Sequence, residues 1–233
     1  MDPATVESLL RGRFGRPYIF QEQCPTTQEL VRGLPEGAVA ACDEQTAGRG
    51  RRGRSWLAPP ETSVLFSLSL WPQIAPDRLA AFSLVAAEAV CAACGPDVAV
   101  RWPNDVMAAG RKLAGVLCEL RDGQLVVGVG INANVAETQL PAEARVPATS
   151  LQLLRGAPVD RASVLADVLW ELEARYDRYL EHGFEGLQRD ELRGRAVQLA
   201  GGRSGPAEGV DDLGRLIVGG VAHSSAEVER VDV

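Results

Sequence analysis

Of the 24 basic residues in the chain, 23 are arginine and one is lysine, Lys112. Asparagine is almost as scarce, with Asn104, Asn132 and Asn134 making up the full set. All four residues fall within positions 104–134. A chain so rich in arginine keeps a lysine where a compact point charge on a flexible stem does what a planar fork does not. Upstream, residues 48–56 read GRGRRGRSW, with four arginines in six positions. The interleaved glycines let backbone N–H groups come close to a ligand, and guanidinium groups grip carboxylate or phosphate in bidentate fashion. No Lys-Ser/Thr follows the glycines, so this is not a P-loop, and it opens no helix, so it is not a dinucleotide fingerprint. The chemistry it suits is recognition of a small anion.

Three more segments carry candidate chemistry. Residues 101–106 read RWPNDV. Pro103 stops a strand there, and Asn104 and Asp105 at its end suit a ribose, a metal-bound phosphate or an incoming amine; an ordinary Asx turn is the plainer alternative. Residues 111–120 read RKLAGVLCEL, with Lys112 opening a strand and Gly115 allowing close approach to its backbone. A lysine beside an arginine-rich loop is repelled unless an anion lies between them. Residues 126–135 read VVGVGINANV. Gly128 and Gly130 leave room on one strand face for a flat ligand or another strand, and Asn132 stands where an amide could read a base or ribose. The two histidines, His182 and His223, lie outside these motifs, and no Ser-His-Asp or Cys-His set is present. Such a site suits substrates that bring their own nucleophile, with the protein positioning them and stabilising charge. Adenylation of a carboxylate by ATP fits, because both reactants are anions whose repulsion Arg, Lys and Mg2+ lower.

The elements that must hold these residues alternate between helix and strand. Hydrophobic patterning predicts a short helix over 4–11 and a strand over 18–21. A helix capped by Thr26 or Thr27 follows, then a buried strand over 38–42. Residues 44–62 form a long loop, a length that in a compact domain signals function. Residues 63–70 alternate as a half-buried strand does. Asp77 is the expected cap of an Ala-rich helix reaching Cys94. Strands follow over 98–101, 112–120 and 124–131, the last two joined at Asp122-Gly123. A second loop runs over 132–148. Residues 160–182 form an amphipathic helix with apolar positions from Val164 through Tyr176 to Leu180. A shorter helix is expected to end near Leu192, after which short strands, with a turn at 211–214, suggest a small barrel.

Hydrophobic residues make up 46% and charged residues 24%, with 24 basic against 31 acidic side chains giving a net charge of −7. This is a globular composition, and its acidity disfavours nucleic acid as a partner. No apolar run is long enough for a membrane span, and the first residues lack the pattern of a secretory leader. Five scattered cysteines argue for free thiols in a cytoplasmic protein. Cys91 and Cys94 form a CxxC at the end of a helix, without the second pair or histidines of a zinc site, and are read as small buried hydrophobes.

Together, GRGRRGRSW, RWPNDV, RKLAGVLCEL, VGVGINANV and the ATSL at 148–151 resemble biotin–protein ligases, in the family's order and at similar spacing, over about residues 18–231. The resemblance implies an α/β fold. A central mixed sheet with flanking helices, related to class II aminoacyl-tRNA synthetase cores, would span residues 1–192, and an SH3-like barrel 193–233. It implies two steps: biotin and Mg-ATP give biotinyl-5′-AMP and pyrophosphate, and a lysine of a biotin carboxyl carrier protein then takes the biotinyl group. Lys112, Arg51 and Asp105 would be catalytic, Asp105 orienting or deprotonating the acceptor lysine. Thr26, Thr27, Gln28, Gln45, Arg49, Gly50, Arg51, Lys112 and Gly115 would hold biotin. Arg51, Arg54, Trp56, Asn104, Lys112 and Asn132 would contact the nucleotide. No metal ligand is assigned.

The chain departs from the family pattern in two places. Pro25-Thr26-Thr27-Gln28 stands where Asp-Ser-Thr-Asn is usual, and Ala226-Glu227-Val228 where Gly-Glu-Val is usual. The 17 residues before Tyr18 are too few for the DNA-binding domain of relatives that act as repressors, so a ligase without that function is expected. Relatives include monomers and sheet-paired dimers, and a homodimer is the expectation here. A lipoate or octanoate ligase is disfavoured by the arginine-rich loop, and a non-catalytic sensor by Lys112, Arg51 and Asp105.

Overall fold

The computed structural model describes residues 1–141 and 146–231. Its centre is a seven-stranded mixed sheet of order β1-β2-β3-β7-β6-β5-β4. The strands are β1 (Tyr18–Cys24), β2 (Val39–Gln45), β3 (Ser63–Leu70), β4 (Val98–Arg101), β5 (Asp105–Ala108), β6 (Arg111–Arg121) and β7 (Gln124–Asn132). β1 and β2 run parallel, and the remaining neighbours are antiparallel. β6 and β7 are joined by the expected turn, with Asp122 and Gly123 both at positive φ, which matches the twist of the paired strands.

Two long helices cover one face: α3 (Leu79–Cys94) and α5 (Arg161–His182), with α1 (Pro3–Leu9) against α5 and β1. Phe82 of α3 meets Tyr176 and Tyr179 of α5 edge-on at 5.8 and 5.4 Å, and Phe14 meets Tyr176 at 5.7 Å. Each such ring contributes roughly 1.5–3 kcal/mol by burial. The short α2 (Thr27–Leu30) packs on β2, β3 and β7. No helix among the described residues is long and apolar enough to cross a membrane.

Several expectations are corrected. β3 is buried on both faces, because α2 and the turn after it cover the side that carries its serines. Those serines find partners: the Ser67 hydroxyl meets Thr27 Oγ1 at 2.8 Å, and Ser69 Oγ donates to Leu34 O and accepts from Gln124. Asp77 does not cap α3; it sits in a 3-10 turn, Pro76–Arg78, that leads into the helix. On α5, which Asp160 does cap, Leu180 is exposed and Tyr179 takes the buried position. The helix expected up to Leu192 is absent. Gly183 and Gly186 at positive φ break the chain, which then runs extended beside β4, Val100 and residues 189–191 exchanging backbone hydrogen bonds. Periodicity did not reveal two short elements, β5 and α4 (Leu151–Arg155). Cys91 and Cys94 lie buried in α3 as expected, their thiols pushed up to about 12 by burial.

After residue 195 the strands β8 (Ala196–Leu199), β9 (Ser204–Val210), β10 (Leu216–Val218), β11 (Val221–His223) and β12 (Val228–Val231) form a separate antiparallel sheet, ordered β11-β10-β9-β8-β12. The expected turn at 211–214 is present, Asp211 accepting from the backbone of Leu213, Gly214 and Arg215. Of the loop expected over 132–148, residues 142–145 lie outside the described residues, as do 232–233 of the tail.

One contact locks the extended segment to the sheet. Arg101, 5% exposed, is held bidentately by Glu191 at 2.7 and 2.8 Å. Removing one member of such a pair strands a buried charge. Glu191→Ala is therefore expected to cost about 3–5 kcal/mol, read as a lower urea midpoint; an unchanged midpoint would show that water reaches Arg101.

Candidate active site

The α2 face of the sheet holds a cavity of about 150 Å3, roofed by the loop between β2 and β3. Every residue expected in the site lines it except Asn132. Thr26 caps α2, and Thr27 follows with its backbone N–H donating to Gln45 Oε1 at 2.9 Å. Gln28 turns its amide onto Gly128, donating to Leu117 O at 3.2 Å. The two glycines of β7 are needed for packing: a Cβ on Gly128 would lie 2.7 Å from Gln28 Nε2, and one on Gly130 would lie 2.5 Å from Trp56 Cε2. The room read from the sequence is thus taken up by an amide and an indole. Gln28 Oε1 and Trp56 Nε1 are both buried without a partner, an acceptor and a donor along one cavity. Buried polar groups of this kind are matched to something.

The cationic end is built by β5, β6 and the loop. Lys112 Nζ lies 2.7 Å from Asp105 Oδ1 and 5.5 Å from the centre of the Trp56 ring. The counter-charge that a lysine here requires is thus a side chain of the protein. Asn104 donates to Val116 O at 2.6 Å and accepts from Arg51 at 3.5 Å. Burial, and then repulsion from Arg52, hold the Arg51 guanidinium below the usual arginine range. An arginine stays charged even so, and its stress is relieved by bringing in an anion.

The arginine run is tied on two sides. Arg51 donates to Ser225 Oγ at 2.8 Å, and Arg52, at φ 58°, donates to Ser225 O. Arg54 turns back onto Arg51 O at 3.2 Å. On the other side, Arg49 reaches Glu29 at 2.9 Å. The turn that carries Ser225 links β11 and β12, so the small sheet anchors the loop.

Asn132 serves the frame: its amide donates to Thr149 O at 3.0 Å. Thr149 N in turn donates to Lys112 O, and Lys112 N to Pro147 O, so the ATSL segment braces the strand that carries Lys112. Asn134 brackets Val159 through both its N–H and C=O. Scarcity therefore picked out two asparagines whose work is structural. Sequence reasoning missed Ser55, Phe66, Val116, Leu117 and Val129 in the lining. Strand alternation gave no signal for them, since Val116 and Leu117 are adjacent on β6 and Val129 lies between the two cavity-facing glycines. No cluster of three or more His, Cys, Asp or Glu able to hold a metal occurs among the described residues.

The model of the biotin/lipoate A/B protein ligase family matches residues 20–135. The biotin–[acetyl-CoA-carboxylase] ligase of Mycobacterium tuberculosis is 38% identical over 199 residues, covering 78% of this chain and 73% of the relative. The enzyme of the same name from Paracoccus denitrificans is 37% identical, covering 83% and 89%. Among solved structures, the Aquifex aeolicus biotin protein ligase in complex with biotin and ATP aligns with a TM-score of 0.77 at 29% identity, over 91% of this chain and 93% of that one. The arginine loop, the lone lysine and the strand glycines that meet in this cavity lie within the family match, and the chain belongs to the biotin protein ligase family.

Proposed function

We propose that this protein is an ATP-dependent biotin–protein ligase. The observation that carries the reading is one cavity with a polar end, glycine-backed strands and a cluster of cations around Arg51 and Lys112. Thr26, Thr27, Gln28 and Gln45 form the end for the ureido ring, with Gln28 Oε1 free to accept from a ring N–H. Gly115 lies beside the thioether ring and valeryl chain, and Arg49 and Gly50 close the site from the loop. The carboxylate is directed towards Lys112 and Arg51, and Arg54, Trp56 and Asn104 border the nucleotide. Asn132 supports this end from behind the strand.

In the first step a biotin carboxylate oxygen attacks the α-phosphorus of ATP, and the bond to the bridging oxygen breaks, releasing pyrophosphate. Lys112 and Arg51 lower the repulsion between the two anions and stabilise the charge that builds on the phosphorus oxygens. Asn104 Oδ1 and the Asp105 carboxylate are hard oxygen donors that would suit a magnesium ion carried in by ATP. Bound there, Mg2+ would lower the charge on the triphosphate. In the second step the ε-amine of a lysine on a biotin carboxyl carrier protein attacks the acyl carbon and AMP leaves with the bonding electrons. In this reading Asp105 orients that amine and takes its proton. The loop, folded over the adenylate, keeps water from the mixed anhydride. Residues 1–192 act as the catalytic part in this reading, and 193–233 as an appended small domain. The free thiols fit the cytoplasm.

Intact-mass spectrometry of a carrier domain, after incubation with the protein, biotin and Mg-ATP, is expected to show one added biotinyl group, absent without ATP. A gain with lipoate on a lipoyl domain instead would reassign the chain to the sister activity. Lys112→Ala is expected to slow adenylate formation about a hundredfold or more; turnover at the wild-type rate would remove its role. Arg51→Gly is expected to release biotinyl-AMP about tenfold faster, measured by rapid filtration. Light scattering is expected to give twice the chain mass, as for a homodimer.

A further inference from the structure

Resting on the ligase reading, we propose that Glu29 and Glu119 are positioning residues that latch Arg49, and through it the β2–β3 loop, shut over the cavity. Arg49 borders the cavity, yet its guanidinium is committed elsewhere. It lies 2.9 Å from Glu29 and 3.7 Å from Glu119. Arg32 completes a ring, 2.9 Å from Glu119 and 3.5 Å from Glu29. The charges alternate around this ring, and its members come from three places: the α2 region, β6 and the loop. Each carboxylate touches two arginines, so neither is free to leave with one of them. A guanidinium so paired is a poor anchor for a ligand carboxylate, whereas Arg51, which meets the neutral groups of Asn104 and Ser225, is open to that task.

Exposure sets the strength of this latch. The side chains of Arg49, Glu29 and Glu119 are 39%, 55% and 31% exposed. Pairs of this kind are weak and screened by salt. That suits a loop which must open to admit biotin and again to present the adenylate to a carrier lysine. The tie to Ser225 on the opposite side uses no carboxylate, so it does not share the same salt response.

The test uses the full chain with Glu29→Gln and Glu119→Gln together, both nearly isosteric. Wild type and variant are loaded with biotin and Mg-ATP without carrier, and release of biotinyl-AMP is followed over a series of ionic strengths. The variant is expected to release the adenylate about three- to tenfold faster. Its salt dependence should be shallower than that of wild type, whose release accelerates as salt screens the ring. Adenylate formation at saturating substrates is expected to be unchanged. Glu119→Gln alone should fall between wild type and double variant, and it keeps the test available if the double variant unfolds. Equal release rates, or equal salt slopes, would overturn the latch while leaving the ligase reading intact. A wild type that forms no adenylate would remove the ligase reading, and the latch with it.

Discussion

Four guanidinium groups in six residues repel one another, and the whole site is arranged around that repulsion. Left alone, such a loop extends into solvent. Here the four arginines are answered in three ways. Arg49 meets carboxylates from α2 and β6, Arg51 and Arg52 meet the serine of the small sheet, and Arg54 folds back on the loop. Of the four, Arg51 is held below the usual arginine range by burial and by its neighbour Arg52. It is the cation with the most to gain from an anionic ligand.

The sheet supplies the second constraint. A cavity over a sheet exists only where side chains are missing or turned away. Gly128 and Gly130 let Gln28 and Trp56 lie against the sheet, and each of these two side chains brings one unpartnered polar atom to the cavity lining. Lys112 reaches in from the start of β6 beside Asp105 at the start of β5. Two strand ends, one loop and one short helix thus converge on a small volume. The helices on the opposite face contribute no side chain to the cavity, but they bury the large aromatic residues that keep the sheet rigid.

Much of this was legible in the sequence, for identifiable reasons. The loop over 44–62, the β6–β7 hairpin and α5 carried strong local signals: glycine and arginine without periodicity, Asp-Gly between alternating runs, and a capped 3.6-residue repeat. The cavity lining was readable because its chemistry is concentrated in rare or clustered residue types. What escaped depended on tertiary cover. β3 alternates like a half-exposed strand, but α2 lies over its serines. The segment before residue 192 holds good helix formers in Glu, Leu, Gln and Arg, but two glycines and the edge of β4 draw it out. Asn132 is expected at the nucleotide from its place at a strand end and from the family resemblance; its amide braces Thr149 O, and it does not line the cavity. Scarcity marks positions that resist substitution; it does not distinguish a ligand from a frame.

The most direct measurement is biotin-dependent exchange of labelled pyrophosphate into ATP, with no carrier present. It reports formation and reversal of the adenylate in this cavity alone. Exchange that appears with biotin, is absent without it and is not supported by lipoate is the predicted result. No exchange with biotin, or equal exchange with lipoate, would contradict the assignment of this site to biotin activation.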